Sequence, residues 1–413
     1  MKISPAVAST LIVAITDAIQ KGTISRYSFF SFPEEWEKET LAAVGEEFAK
    51  SLPKALDESS LSQFAKDRLQ LIRLEAGSPS PSKDTPIRKL ACFSNPLNTA
   101  RVVVASLKEA PKQYRLLVRI NDELAERAAS GEVEIKLSDR LRIVSGGKIP
   151  PTFKLSHPVE AVNSHIRGAA FSSHAPFTSE ETALYLEYRT SGYLSPRRSS
   201  RALGEFFDEC RAFYGACIAH KITYNSNLIG TDEMTPIVIA NEVNDREEVF
   251  AYVDRVEEDL VKCANLSTTT VTDKKITDGE PLEDIGPIFP VFQSVNSNKL
   301  KTACAWMLRA QLSPRPLDRV LEATITMEVL LGDRDTSDRI GLSKLMANRC
   351  AYALGGSMSE RDEIVEFFVK FYRLRSEIVH SGRTNLDSDE RRIVAKGITL
   401  ATRTLVHEIR ISS

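Results

Sequence analysis

The stretch from Phe371 to Arg383 reads Phe-Tyr-Arg-Leu-Arg-Ser-Glu-Ile-Val-His-Ser-Gly-Arg. His380 is its one side chain whose ordinary titration lies near neutral pH. Arg373 and Arg375 precede it and Arg383 follows it, each a fixed cation able to grip an oxyanion with two parallel donors. Together they suit general acid–base catalysis at a centre where negative charge develops. The stretch closes a long amphipathic helix. His380 falls in its last turn, where the helix dipole favours a positive charge. Positions five apart on a straight helix diverge by about 140°, so Arg375 and His380 do not converge easily within one chain. Arg373 and His380, seven apart, share a face, with Glu377 between them. Either the helix distorts near its end, or two chains pool their residues. Arg373 is then a second anion ligand, or it only pairs with Glu377.

An Arg followed five positions later by His arises by chance in many chains, and alone it carries little. The wider wording carries more: the run Thr326-Met-Glu-Val-Leu-Leu-Gly-Asp333 upstream, and the phrase Tyr-x-x-Arg-Ser-x-Ile-Val-His-Ser-Gly. Arg375, Ser376 and His380 resemble the R-polar-x-x-x-H signature of the HEPN superfamily. The surrounding words resemble its Apea-like group, over roughly residues 296–413. The resemblance implies a metal-independent endoribonuclease without a cofactor, in which a ribose 2′-hydroxyl attacks the adjacent phosphorus and leaves a cyclic phosphate. His380 would move the proton and Arg375 would hold the phosphorane oxygens. Ser376 fills the motif's polar position, and Arg383 is a candidate substrate contact. Glu328 is either an edge-of-core residue with a local arginine partner or the carboxylate that orients Arg375 or Arg373. The family also implies a cleft shared by two chains, hence a homodimer acting on RNA, transfer RNA among the candidates. It implies a toxin-like role in antiphage defence, with the N-terminal region answering a phage-derived trigger or regulatory partner. Some HEPN domains only bind, so a non-catalytic dimerising scaffold for RNA or protein is the alternative.

Bulk properties neither require nor oppose this. Of 413 residues, 42% are apolar and 27% charged, with a net charge of −2, so no global field pulls the chain onto nucleic acid. The charge is uneven. Residues 296–413 hold 19 Lys and Arg against 15 Asp and Glu, and the remainder 35 against 41. The six cysteines are scattered without C-x-x-C or zinc spacing, which fits a reducing cytoplasm. The apolar start, Met1 to Asp17, reads as a buried helix more than a signal peptide. No stretch reaches the ~20 apolar residues of a membrane span. His157, His165 and His174 lack ligand spacing, His220 reads as structural, and His407 falls on the outer part of the last helix. Arg197, Arg198 and Arg201 read as a solvated basic loop, with contact to an RNA backbone as the alternative.

The elements that must position these residues follow from periodicity. The expected class is α+β overall, a mixed α/β region over 1–290 with an internal break near 76–88, then an all-α antiparallel bundle over 291–413. Apolar spacing of three and four predicts helices over residues 1–75, one of them opened by Pro33 and running to Lys50. Strands are expected at Arg101–Ser106, Tyr114–Ile120 and Val133–Leu137, with a short helix at Glu123–Ala129. Residues 180–225 read as helical, clearest at Leu203–His220. Pro236–Ala240 reads as a strand, Arg246–Ala264 as a charged helix and Thr268–Pro290 as a linker. Five helices follow: Lys299–Gln311, Leu317–Leu331 opened by Pro316, Asp338–Leu354, a fourth capped by Ser359 and Asp362 and stopping at Ser381-Gly382, and Asp389–Ile409. The fourth is expected to bury Ile364, Val365, Phe368, Phe371, Tyr372 and Val379.

Overall fold

The computed structural model describes residues 1–56, 58–120, 134–148, 184–194, 201–224, 237–243, 248–255, 257–263, 267–268, 283–333, 341–381 and 384–413. The expected Glu123–Ala129 helix, the loop carrying Arg197 and Arg198, and Gly382 and Arg383 lie outside them. The chain is mixed α and β, with a helical C-terminal region.

Residues up to Lys108 form five helices and a small ladder of two-residue strands. Ser4 caps α1 (Pro5–Lys21) by accepting from Val7 N, with Pro5 in the first turn, where its missing N–H costs nothing. The helix expected from Pro33 to Lys50 is two helices, α2 (Trp36–Val44) and α3 (Glu46–Ala55). Gly45 divides them at φ 96°, a backbone state that only glycine adopts without strain. Then come α4 (Leu61–Glu75) and α5 (Pro96–Lys108). α5 overturns the strand expected at Arg101–Ser106. Asn95 accepts from Asn98 N and Pro96 opens the helix, so a well-formed N-terminus outweighs the β-preference of Val102-Val-Val104. Thr99, Ala100, Val103, Val104 and Leu107 then fall on one buried face.

A six-stranded antiparallel sheet follows. Its strands are β1 (Lys112–Arg119), β2 (Glu134–Lys136), β3 (Leu141–Ser145), β4 (Leu184–Gly192), β5 (Ile237–Val243) and β6 (Glu248–Arg255), in the order β6-β5-β1-β4-β3-β2. Two of these correct the sequence reading. The helical expectation for 180–225 fails at β4, which is hydrogen-bonded on both sides, to β1 and β3. The charged helix expected over Arg246–Ala264 is β6 followed by the short α7 (Glu258–Cys263). Val249, Phe250, Tyr252 and Val253 are residue types that favour strands, and their backbone pairs with β5; the acids around them had suggested a helix.

The sheet presents Tyr114, Leu116, Leu186 and Tyr188 to a core that also contains α6 (Arg201–Ala219). α6 in turn lies against α9 (Ser297–Leu312), the first helix of the C-terminal set. At their crossing, a Cβ on Gly215 would stand 2.0 Å from the Cys304 carbonyl oxygen. The backbones therefore meet as only glycine allows. One apolar core runs from Tyr114 to Ile409 without a break at residue 290. Part of the expected linker is ordered: a short 3-10 turn and α8 (Phe289–Gln293) bury Ile285, Ile288, Val291 and Phe292. A second core joins α1–α5, with Tyr193 at its edge.

The remaining helices are α10 (Pro316–Leu331), α11 (Leu342–Leu354), α12 (Met358–Ser381) and α13 (Ser388–Ile411). Pro316 opens α10 as expected. The cap of α12 lies two residues before the expected one. Ser357 Oγ accepts from Glu360 N at 3.2 Å, and Glu360 Oε2 accepts from Ser357 N and Gly356 N. α12 buries Phe368, Phe371, Leu374 and Ile378; Tyr372 is half-buried, and Val379 is exposed rather than in the core. Gly397 on α13 sits against the Phe371 ring, which locks the two long helices together. No helix among the described residues is long and apolar enough to cross a membrane.

Candidate active site

α12 runs without a break from Met358 to Ser381, so Arg375 and His380 keep the divergence that their spacing dictates. The buried face of α12 turns Arg375 towards α10. There, Arg375 Nη2 lies 3.6 Å from Glu328 Oε1. The Tyr372 hydroxyl donates to the same carboxylate oxygen at 2.9 Å. The guanidinium also stands 5.6 Å from the centre of the Tyr372 ring, within cation–π range. Burial, then the Glu328 carboxylate, push the Tyr372 hydroxyl up to about 12, so it stays a proton donor at any physiological pH. Of the two partners proposed for Glu328, the structure pairs it with Arg375.

This contact leaves Arg375 incompletely satisfied. At 3.6 Å the ion pair is longer than a hydrogen bond, and Arg375 Nε is buried with no hydrogen-bond partner. The side chain is about a quarter exposed. The guanidinium is thus aimed and desolvated, but not closed off.

The other candidates lie elsewhere on α12. Val369, Arg373, Ser376 and His380 follow one another at spacings of four, three and four, which puts them on one helical stripe. Arg373 and His380 are exposed and Ser376 is half-buried. Arg373 Nε donates to Glu377 Oε1 at 3.1 Å, an exposed pair that spans one turn. The His380 side chain makes no hydrogen bond or ion pair with another described residue. The structure therefore brings together Arg375 with Glu328, and Arg373 with Glu377. It does not bring Arg375 to His380 within one chain.

Sequence reasoning placed Tyr372 in the core and missed its hydroxyl. The available signal was its position three residues before Arg375, one turn away on the same face. It also passed over Glu322, six residues before Glu328 on α10. Burial, with Asp318 close by, pushes this carboxyl up to about 7, and its Oε2 is buried without a partner. His220 is half-buried; burial, then Arg410, hold its imidazole below its ordinary value. Arg201, from the expected basic loop, donates to Glu205 at 2.8 Å. Among the described residues, no group of three or more His, Cys, Asp and Glu could hold a metal ion. Compared with protein-family models, with curated proteins and with solved structures, the chain matches none.

Proposed function

We propose that the chain is a metal-independent endoribonuclease of the HEPN kind, active as a homodimer. In this reading, Arg375 holds the non-bridging oxygens of the phosphorane and His380 of the facing chain moves the proton. The ribose 2′-hydroxyl attacks phosphorus, the 5′-oxygen leaves with a proton, and a 2′,3′-cyclic phosphate and a 5′-hydroxyl result. The observation that carries this is Arg375 itself. It is oriented by Glu328 and Tyr372, yet it keeps unspent donor capacity, the state that suits a group which must stabilise transient charge. His380 stands exposed on a stripe with Arg373, where a second copy or a phosphate can reach it. The mild excess of arginine in residues 296–413 favours an anionic substrate. The role of residues 1–290 as a sensor of a phage-derived trigger, in a toxin-like defence effector, belongs to the same proposal and rests on the resemblance.

The Glu328–Arg375 pair also favours a second reading, in which Arg375 is a structural tie between α10 and α12 and the domain only dimerises and binds RNA or protein. One experiment separates the two. The purified chain is incubated with labelled transfer RNA in EDTA, and the new ends are mapped. Cleavage leaving cyclic phosphates supports the ribonuclease. RNA retained uncut across a panel of transfer, ribosomal and phage RNAs, by a folded dimer, supports the scaffold.

A further inference from the structure

A sizeable cleft among the described residues lies away from α12. It opens between the turn joining β2 to β3, the outer face of α6, the end of α8 and the exposed side of α9, and encloses about 1010 Å³. That is ample for a small organic ligand. Its walls carry four cations, Lys136, Arg140, Lys301 and Arg309, against four carboxylates, Asp139, Glu205, Asp208 and Glu209. These charges are already matched. Lys301 Nζ lies 2.6 Å from Glu209, Lys136 2.8 Å from Asp139, and Arg140 3.5 Å from Glu205. Asp208 pairs with Arg211 at 2.9 Å and Arg309 reaches Asp259 at 3.8 Å.

Such a lining selects by chemistry. Four cations against four carboxylates leave no net positive field to draw in a phosphate-rich polyanion. The ion pairs set among its apolar residues do not suit a lipid or an aliphatic ligand. Between the ion pairs stand the half-buried ring of Trp306 and the edge of the buried Tyr188, the first with the Arg309 guanidinium over its ring at 4.9 Å. Gln293, Asn298 and Thr302 add uncharged donors and acceptors beside them. A flat ligand with an apolar face and an edge of alternating donors and acceptors satisfies both features. Nucleobases have that shape, and stacking on an aromatic side chain contributes about 1–3 kcal/mol per base.

We propose that this cleft is a binding site for an uncharged nucleoside, with the base stacked against Trp306 and its polar edge read by the neighbouring amides and ion pairs. The proposal does not rest on the ribonuclease reading. Arg309 does connect the two regions, since its charge acts on Glu322 of α10, the helix that also carries Glu328.

Tryptophan fluorescence of the full-length protein tests the site. The chain has two tryptophans, and Trp36 is buried in the N-terminal core with its indole N–H donating to the Ala14 carbonyl, so a ligand-dependent signal reports Trp306. Adenosine, guanosine, cytidine and uridine are titrated separately, with a single-stranded oligonucleotide and ADP as charged comparators. Saturable quenching by at least one nucleoside is expected, weakened at least tenfold by Thr302→Arg or by Asn298→Arg at the exposed mouth. Trp306→Phe should remove the quenching while calorimetry still detects binding. No saturable binding of any nucleoside overturns the proposal. So does an oligonucleotide or ADP binding tenfold tighter than every nucleoside, or quenching that survives both mouth substitutions in folded protein. Because none of these readouts involves cleavage, an inactive nuclease leaves the result interpretable.

Discussion

Glu328 and Arg375 face each other across α10 and α12 at 3.6 Å, with the Tyr372 hydroxyl on the same carboxylate oxygen. The pair is about a quarter exposed on each side, so its own contribution to stability is small, roughly 0–1 kcal/mol. Its effect should be on aim. Glu328→Gln keeps the size and the tyrosine contact but removes the charge. Cleavage is expected to fall about tenfold or more while the thermal midpoint barely moves. A midpoint that collapses with no separate effect on rate would mark the pair as purely structural. Tyr372→Phe should cost about 0.5–1.5 kcal/mol, with a smaller loss of rate.

The two candidate arginines of α12, Arg373 and Arg375, are distinguished by substitution. His380→Ala should abolish cleavage in a protein that still folds, because the His380 side chain is exposed and bonds to no other described residue. Arg375→Ala should lose on the order of 10²-fold or more, and Arg375→Lys should stay impaired because an ammonium cannot reproduce the fork. Arg373→Ala is expected to be milder, since Arg373 is already paired with Glu377. If single-turnover rates rank these two the other way, the cation on the His380 stripe is the working one.

Assembly is the third test. With Arg375 and His380 on different sides of one helix, the proposed site needs two copies, related by a twofold axis with their α12 helices facing. Val369 and Val379 are about half exposed on α12 and would lie in that interface. Val369→Glu together with Val379→Glu should shift light-scattering mass towards the monomer and remove cleavage with it. A dimer and an activity both untouched by the double substitution would place the interface elsewhere.

The packing of the long helices can be probed at Gly397. A Cβ there would stand 2.3 Å from Cε2 of the fully buried Phe371 ring. Gly397→Ala is expected to destabilise by about 1–3 kcal/mol, seen as a lower denaturant midpoint, despite alanine's better helix propensity.

Glu322 sets a pH dependence. Its folded-state value, about 7, lies above its ordinary 4.5, so the folded chain holds this proton more tightly than the unfolded one. The stability from Glu322 is therefore fully present below about pH 4.5 and is lost as pH rises through about 7. Melting temperatures recorded across that window should fall more steeply for the parent chain than for Glu322→Gln. Parallel curves would remove Glu322 as the cause.

The C-terminal helices were legible because each carried its own punctuation: Pro316 at the start of α10 and three-and-four apolar spacing along α9 and α12. Local signals failed where tertiary context decides. In β4, Leu184, Tyr185, Leu186, Glu187 and Tyr188 are all buried, so the alternation that would mark a strand is absent in the middle of a sheet. Val102-Val-Val104 looked extended until the Asn95 cap was given its weight. The arginine–histidine stretch was readable as a unit. Its link to Tyr372 and Glu328 needed two helices far apart in sequence to be brought together, and the cleft draws its walls from residues between Lys136 and Arg309.

The meeting of Gly215 with the Cys304 carbonyl bears on how this chain can be divided. A helix from the sheet half is seated so closely on the first helix of the bundle that no side chain separates them. Cutting at residue 290 would strip α9 of that cover and open its backbone at Cys304 to water. A fragment made of the last helices alone is thus a poor stand-in for the whole, and its silence in a toxicity screen would say nothing about the intact chain. The sheet half, through α6, is a wall of the bundle, in backbone contact with its first helix.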